Sequence, residues 1–156
     1  RRIPVMCHLG LVPRKSSWKG GLRAIGKNAE EALKLFNDFK TMESAGALSA
    51  ECEIILEEVM IEISKKTSLI TSSLGSGLSG DIIYLFQNDI CGEHENIPRH
   101  ARAFGNVLKL KNEIYKERVK SLKSFKNSVK SETFPSKKEL INIKKEELEK
   151  FKKLIS

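Results

Sequence analysis

Hydrophobic residues fall into two regimes along the chain: short unbroken apolar runs, and apolar positions at helical spacing. The run "IPVMCHLGLVP" (Ile3 to Pro13) is rich in β-branched residues and closes on a proline. That pattern predicts a short strand buried on both faces, followed by a loop. "RKSSWKGGLRAIGKN" is polar and glycine-rich, which predicts a loop. From Asn28 the period changes. Ala32, Leu35, Phe36, Phe39 and Met42 recur at helical spacing. Asn28 suits an N-cap, Glu30 and Glu31 suit the first turn, and Gly46 suits the end. "ALSAEC" predicts a second strand, and "IILEEVMIEISKKT" a second helix with Ile55, Val59 and Ile63 on one face. "SLITSSLGSG" predicts a third strand ending in glycines, and "DIIYLFQNDICG" a fourth. A helix is then predicted from Pro98, carrying Ala101, Phe104, Val107, Leu108 and Leu110 and running on through "NEIYKERVKSLKSFKNSV". "ETFPS" breaks it. Ser136 and Glu139 form an S-x-x-E capping box behind Pro135, and Leu140, Leu148, Phe151 and Ile155 make the stripe of a last helix.

Strands alternating with helices imply a parallel sheet with helices outside it. Two architectures meet that description: a doubly wound sheet, or part of a (β/α)8 barrel. No early G-x-G-x-x-G favours a dinucleotide fold, since "GLRAIG" (Gly21 to Gly26) matches it poorly.

Composition changes this picture little. The 156 residues are 40% hydrophobic and 31% charged, enough for one core. No apolar run reaches the roughly 18 residues of a transmembrane helix. The start, "RRIPVMCHLG", has no hydrophobic region leading to a cleavage site, so a cytoplasmic location is expected. Cys7, Cys52 and Cys91 are widely spaced and odd in number, which suits free thiols in a reducing compartment. The histidines His8, His94 and His100 form no metal-binding pattern. Charge is uneven. Lys109 to Ser156 holds 15 Lys and Arg against 7 Asp and Glu, so the whole excess of +8 lies there. Without interleaved aromatics, such a tail reads as a solvated helix face rather than a nucleic-acid surface. A chain that opens on Arg1 and almost at once on a strand suggests a fragment lacking its N-terminal part.

In parallel α/β folds, chemistry sits at the carboxyl ends of the strands. Those ends bring together Cys7 and His8, then Glu51, Cys52 and Glu53, then "LGSGLSGD", then Asp89. A carboxylate on a partly desolvated rim can act as a general base. Each residue also has a plainer reading. His8 could bond a neighbouring loop. Glu53 reads as solvent-facing or as the start of the second helix. Asp89 reads as a cap or turn residue. "GSGLSG" could cradle a phosphate or merely make a tight turn.

At these residues the sequence resembles the ketopantoate (3-methyl-2-oxobutanoate) hydroxymethyltransferases, collinearly over about Arg2 to Leu140. "IPVMCHLGLVP" resembles "IPVMGHIGLTPQ", and "KGGLRAIGKNAEEA" resembles a "GGYKVQGR" loop and its helix start. "AGALSAECEI" is similar to "AGAFALVLECVP", and "TSSLGSGLSGDIIYLFQNDICG" to "TIGIGAGxxCDGQVLVxHDLLG". "SETFPSKKEL" resembles "GxFPxxEHSF". The resemblance implies the second half, strands five to eight, of a (β/α)8 TIM barrel of the phosphoenolpyruvate/pyruvate superfamily, with a C-terminal helical extension. Residues 1–108 would form the partial barrel and residues 109–156 the basic helices packing on it or extending from it.

The resemblance further implies hydroxymethyl transfer from 5,10-methylenetetrahydrofolate to 3-methyl-2-oxobutanoate, giving 2-dehydropantoate. Glu51 would be the general base and His8 would line the pocket. Mg2+ is the implied metal, though its ligands belong to the family's first half and none is in this chain. A homo-oligomer acting on a small 2-oxo acid is expected, without membrane or nucleic acid. Departures fall at Cys7, Val12, Arg14, Ile25, Ser73, Ser76 and Asn88, and bear on folate contacts and substrate choice. The alternatives are another oxo-acid lyase or transferase of the superfamily, or a non-catalytic α/β module with a basic tail for RNA or a partner. Four strands cannot close an eight-stranded barrel, so the chain alone is expected to be inactive.

Overall fold

The computed structural model describes residues 3–156, without the side chain of Lys19. Arg1 and Arg2, where the resemblance begins, lie outside the described residues.

The apolar runs form strands β1 (Met6–Gly10), β2 (Ser49–Glu53) and β3 (Ile70–Leu74). A two-residue β4 (Ile82–Ile83) completes one parallel sheet of order β1-β2-β3-β4. Between β1 and β2 lie a 3-10 helix (Pro13–Lys19) and α1 (Ala29–Ser44). Helix α2 (Glu57–Ser64) links β2 to β3. Then come α3 (Gln87–Cys91), α4 (Val107–Lys130) and α5 (Lys145–Leu154). Four parallel strands alternating with helices are consistent with part of a TIM barrel. No helix among the described residues is long and apolar enough to cross a membrane.

Helix α1 forms where local chemistry demands it. Asn28 Oδ1 accepts from the Glu31 amide at 2.8 Å, satisfying an amide that has no partner inside the helix. At the other end Gly46, at φ +87°, lets the chain leave. The inward stripe of α1 carries Leu35 and Phe39, and α2 contributes Met60 and Ile63. They cover one face of the sheet, burying Ala50 and Cys52 completely. Each large side chain so buried contributes roughly 1.5–3 kcal/mol. Burial also pushes the Cys52 thiol up to about 12, so it is an inert packing group. All three cysteines are free.

The opposite face departs from expectation. Met6 and Ile70 remain 52% and 46% exposed, and both residues of β4, Ile82 and Ile83, 51% and 56%, so burial on both faces holds along β3 only from Thr71 to Leu74 and fails at Met6, at Ile70 and along β4. Among the described residues nothing covers them.

Three further expectations are corrected. The fourth strand stops after Ile83, because Phe86 initiates α3 and takes Asn88 and Asp89 into a helix. No helix begins at Pro98; residues 98–106 turn back so that the Phe104 amide bonds the Ile90 carbonyl at 2.8 Å, and α4 starts at Val107. Only half of the capping box forms: the Ser136 amide donates to Glu139 Oε2 at 2.7 Å, but the Ser136 hydroxyl accepts from the Lys138 amide and not from Glu139, and the motif closes only a turn. Ile141, Asn142 and Ile143 follow, all weak helix formers, and the helix waits until Lys145.

Contacts divide the chain into two units, residues 1–108 and 109–156. The second is helical and basic. Within it Phe125 and Phe134 meet edge to face, centroids 5.6 Å apart.

Candidate active site at the carboxyl ends of the strands

In-register parallel pairing places Gly10 beside Glu53 and His8 beside Glu51. Side chains two residues apart share a face, so His8, Glu51 and Glu53 all project from the open face of the sheet. Gly10 makes their meeting possible. It sits at φ +90°, and a Cβ there would run into the Glu53 carbonyl and the Ile55 side chain. Having no side chain, it lets the Leu11 amide reach the Glu53 carbonyl at 2.7 Å. It also leaves Glu53 free to lean over β1.

Glu53 Oε2 lies 2.8 Å from His8 Nε2, with the two side chains 15% and 33% exposed. This corrects the plainer reading of Glu53. It is the last residue of β2, not the start of α2, whose first residue is Glu57. Immediately after it Ile54 holds φ +48°, an outlier for a β-branched residue. Backbone bonds on both sides hold it there: its amide donates to Leu74 and its carbonyl accepts from Ile25.

Glu51 stands two residues inside the end of β2, flanked by His8 on β1 and Ser72 on β3. It lines a hollow of about 540 Å3 on the open face with Met6, Ser72, Ile82 and Tyr84. Glu53 belongs to a larger cavity of about 890 Å3 beyond the strand ends. The donor atoms of His8, Glu51 and Glu53 lie within 4.8 Å of one another. An imidazole so placed can donate to a carboxylate, orient it, and pass on a proton.

The other expected rim residues do different work. Asp89 is buried in the first turn of α3. The loop after β3 consumes its own polar groups. Ser73 Oγ accepts from the Ser76 amide and donates to the Gly77 carbonyl, while Ser76 Oγ bridges Cys52 and Ile55. That is a tight turn pinned to β2. Sequence reasoning missed Asp81, whose carboxylate accepts from both the amide and the hydroxyl of Thr71 at 2.8 Å. These bonds lower its pKa. It also missed the second role of Glu31. Arg23 clamps that carboxylate at 2.7 Å, the amides of Gly26 and Lys27 donate to it, and its pKa falls to about 2.

Mg2+ prefers near-octahedral oxygen ligands. The triad of His8, Glu51 and Glu53 offers one nitrogen, already engaged with Glu53, and two carboxylates. These residues do not by themselves fit a Mg2+ cage, and no step below runs through the ion.

The sequence profile described as ketopantoate hydroxymethyltransferase matches residues 1–137. The chain is 34% identical over 154 residues to a 3-methyl-2-oxobutanoate hydroxymethyltransferase of Nitrosopumilus maritimus, covering 98% of this chain and 53% of that protein. It is 33% identical to the Pyrococcus furiosus enzyme of the same name (86% and 45% covered) and 30% identical to that of Emericella nidulans (98% and 43%). The chain thus spans about half the length of the curated relatives it matches.

Proposed function

The chain belongs to the ketopantoate hydroxymethyltransferase family, and from that premise we propose that it supplies strands five to eight of a (β/α)8 barrel that hydroxymethylates 3-methyl-2-oxobutanoate. The observation that carries this is the His8–Glu53 pair at the carboxyl ends of a parallel sheet. In the reaction a carboxylate removes the proton from C3 of the oxo acid. The resulting enolate carbon attacks the methylene group of 5,10-methylenetetrahydrofolate. Both carbon–nitrogen bonds to that methylene break as the carbon–carbon bond and a carbon–oxygen bond to water form; the abstracted proton and one from water end on the two folate nitrogens, so 2-dehydropantoate and tetrahydrofolate are released.

Two carboxylates can serve as the base. Matching "EC" to the family's "LEC" selects Glu51. Counting without a gap from the shared Ala-Gly-Ala (Ala45 to Ala47) selects Glu53 instead. Geometry favours Glu53, which lies at the strand end and is oriented by His8, whereas Glu51 lies one layer down. His8 would fix the carboxylate in the ground state and share the proton once it is taken.

The test joins this chain to the first half of the Nitrosopumilus relative by co-expression. Exchange of the C3 proton of 3-methyl-2-oxobutanoate for deuterium is expected in the complex and absent from the 156 residues alone. Glu53→Gln should lower the exchange rate at least 100-fold, and Glu51→Gln by much less. The reverse order would return the base to Glu51. A purified, folded complex that neither exchanges the proton nor forms product would sink the reading.

A further inference from the structure

The open face of the sheet carries two carboxylates around one imidazole, and this cluster has binding capacity to spare. Glu51 has neither a hydrogen-bond partner nor an ion-pair partner among the described residues. It stands in a hollow lined largely by apolar side chains, Met6, Leu48, Ile70 and Ile82. A carboxylate beside such walls is poorly hydrated and gains much from a cation. The bond between Glu53 and His8 engages a single carboxylate oxygen. With a neutral imidazole the cluster holds two like charges, which one divalent ion neutralises.

The donor set says which ion. Mg2+ takes oxygen ligands almost alone. An imidazole nitrogen together with carboxylate oxygens suits a borderline transition ion such as Zn2+, with bonds of about 2.0–2.2 Å to both. Two such bonds at a right angle hold their donor atoms about 3 Å apart. His8 Nε2 and Glu53 Oε2 already lie 2.8 Å apart, so they stand where neighbouring ligands of one ion would stand. Register adds the third ligand: Glu51 is paired with His8 across β1 and β2, and the donor atoms of all three residues lie within 4.8 Å of one another. The Glu51 carboxylate closes the remaining distance by turning about its own side-chain bonds.

We propose that His8, Glu51 and Glu53 form a site for a divalent transition ion, Zn2+ foremost. On binding, the proton that Nε2 lends to Glu53 moves to Nδ1, so the imidazole stays neutral and Nε2 becomes a ligand. Glu53 is also the proposed base, so an ion held here blocks proton removal. That consequence rests on the function proposed above; the ion site rests on the three side chains.

Calorimetric titration of the 156-residue chain with Zn2+ and with Mg2+ tests this. One saturable Zn2+ site per chain is expected, with Mg2+ at least about 100-fold weaker. Proton–nitrogen NMR correlation spectra should show the ring nitrogens of His8 shifting at saturation, and those of His94 and His100 unmoved. His8→Gln and Glu51→Gln should each weaken Zn2+ at least tenfold. Circular dichroism confirms that each variant is folded, and the wild-type spectra decide the matter where one is not. The proposal is overturned by absence of saturable Zn2+ binding, by Mg2+ binding as tightly, by shifts at His94 or His100 in place of His8, or by full affinity in both variants. In the complemented barrel, deuterium exchange at C3 should fall as Zn2+ saturates the chain; exchange that persists at saturation would overturn the blocking consequence. Zn2+ binding as expected, with a complemented barrel that never exchanges the proton, would strike the transferase reading instead.

Discussion

His8 and Glu53 are 45 residues apart, and their 2.8 Å contact exists because two strands run in register and the position between them is a glycine. Similar economy holds Thr71. Its hydroxyl and amide both reach Asp81, fixing the turn that returns the chain from β3 to β4. Thr71 is 1% exposed, so valine fills the same space but leaves the carboxylate one bond short. Thr71→Val should cost about 1–2 kcal/mol, read as a lower urea midpoint at unchanged slope. An unchanged midpoint would show that the hydroxyl contributes nothing to that turn. The sequence made Glu53 look like the first acid of a helix, because it comes just before a helical pattern. Its face, its neighbour Gly10 and its reach to His8 are register facts, invisible to a reading along the chain.

At the scale of elements, α1 was legible from end to end. Asn28, the spacing of Leu35 and Phe39, and Gly46 are local signals, and the structure uses each as read. The segment from Ile82 to Gly105 was not legible. "DIIYLFQNDICG" is apolar enough for a strand or a buried helix, and periodicity cannot separate the two over so few residues. The ends of α1 also carry an acid-sensitive clasp. Arg23 holds Glu31, and Lys40 with Thr67 and the Ser68 amide holds Glu43, each carboxylate at a pKa of about 2. A pKa lowered by folding adds stability that is complete above the ordinary carboxylate value of about 4.5 and disappears as pH falls towards 2. Wild-type Tm should therefore fall between pH 4.5 and 2. The Glu31→Gln, Glu43→Gln double variant should be less stable at pH 7 but lose less over that window. Parallel curves for the two proteins would show that other carboxylates set the acid limb.

At the scale of the whole molecule, the two faces of the sheet decide behaviour. One is sealed by α1 and α2; the other presents Met6, Ile70 and Ile82 to solvent beside unpaired strand edges. Exposed apolar surface next to free edges favours association. Analytical ultracentrifugation of the isolated chain should show concentration-dependent self-association, and co-expression with the first half of a relative should suppress it. A stable monomer at 100 μM or so would mean that the open face is tolerated.

The order of elements as far as β3, the cap of α1, the confinement of excess charge to residues 109–156 and family membership all lay in the sequence, because each depends on residue type and spacing alone. Which face of the strands stays open, and that Glu53 meets His8 while Glu51 sits a layer below, were decided only by the tertiary structure. Those facts depend on register and on the close approach of segments far apart in the chain, and no local pattern specifies either.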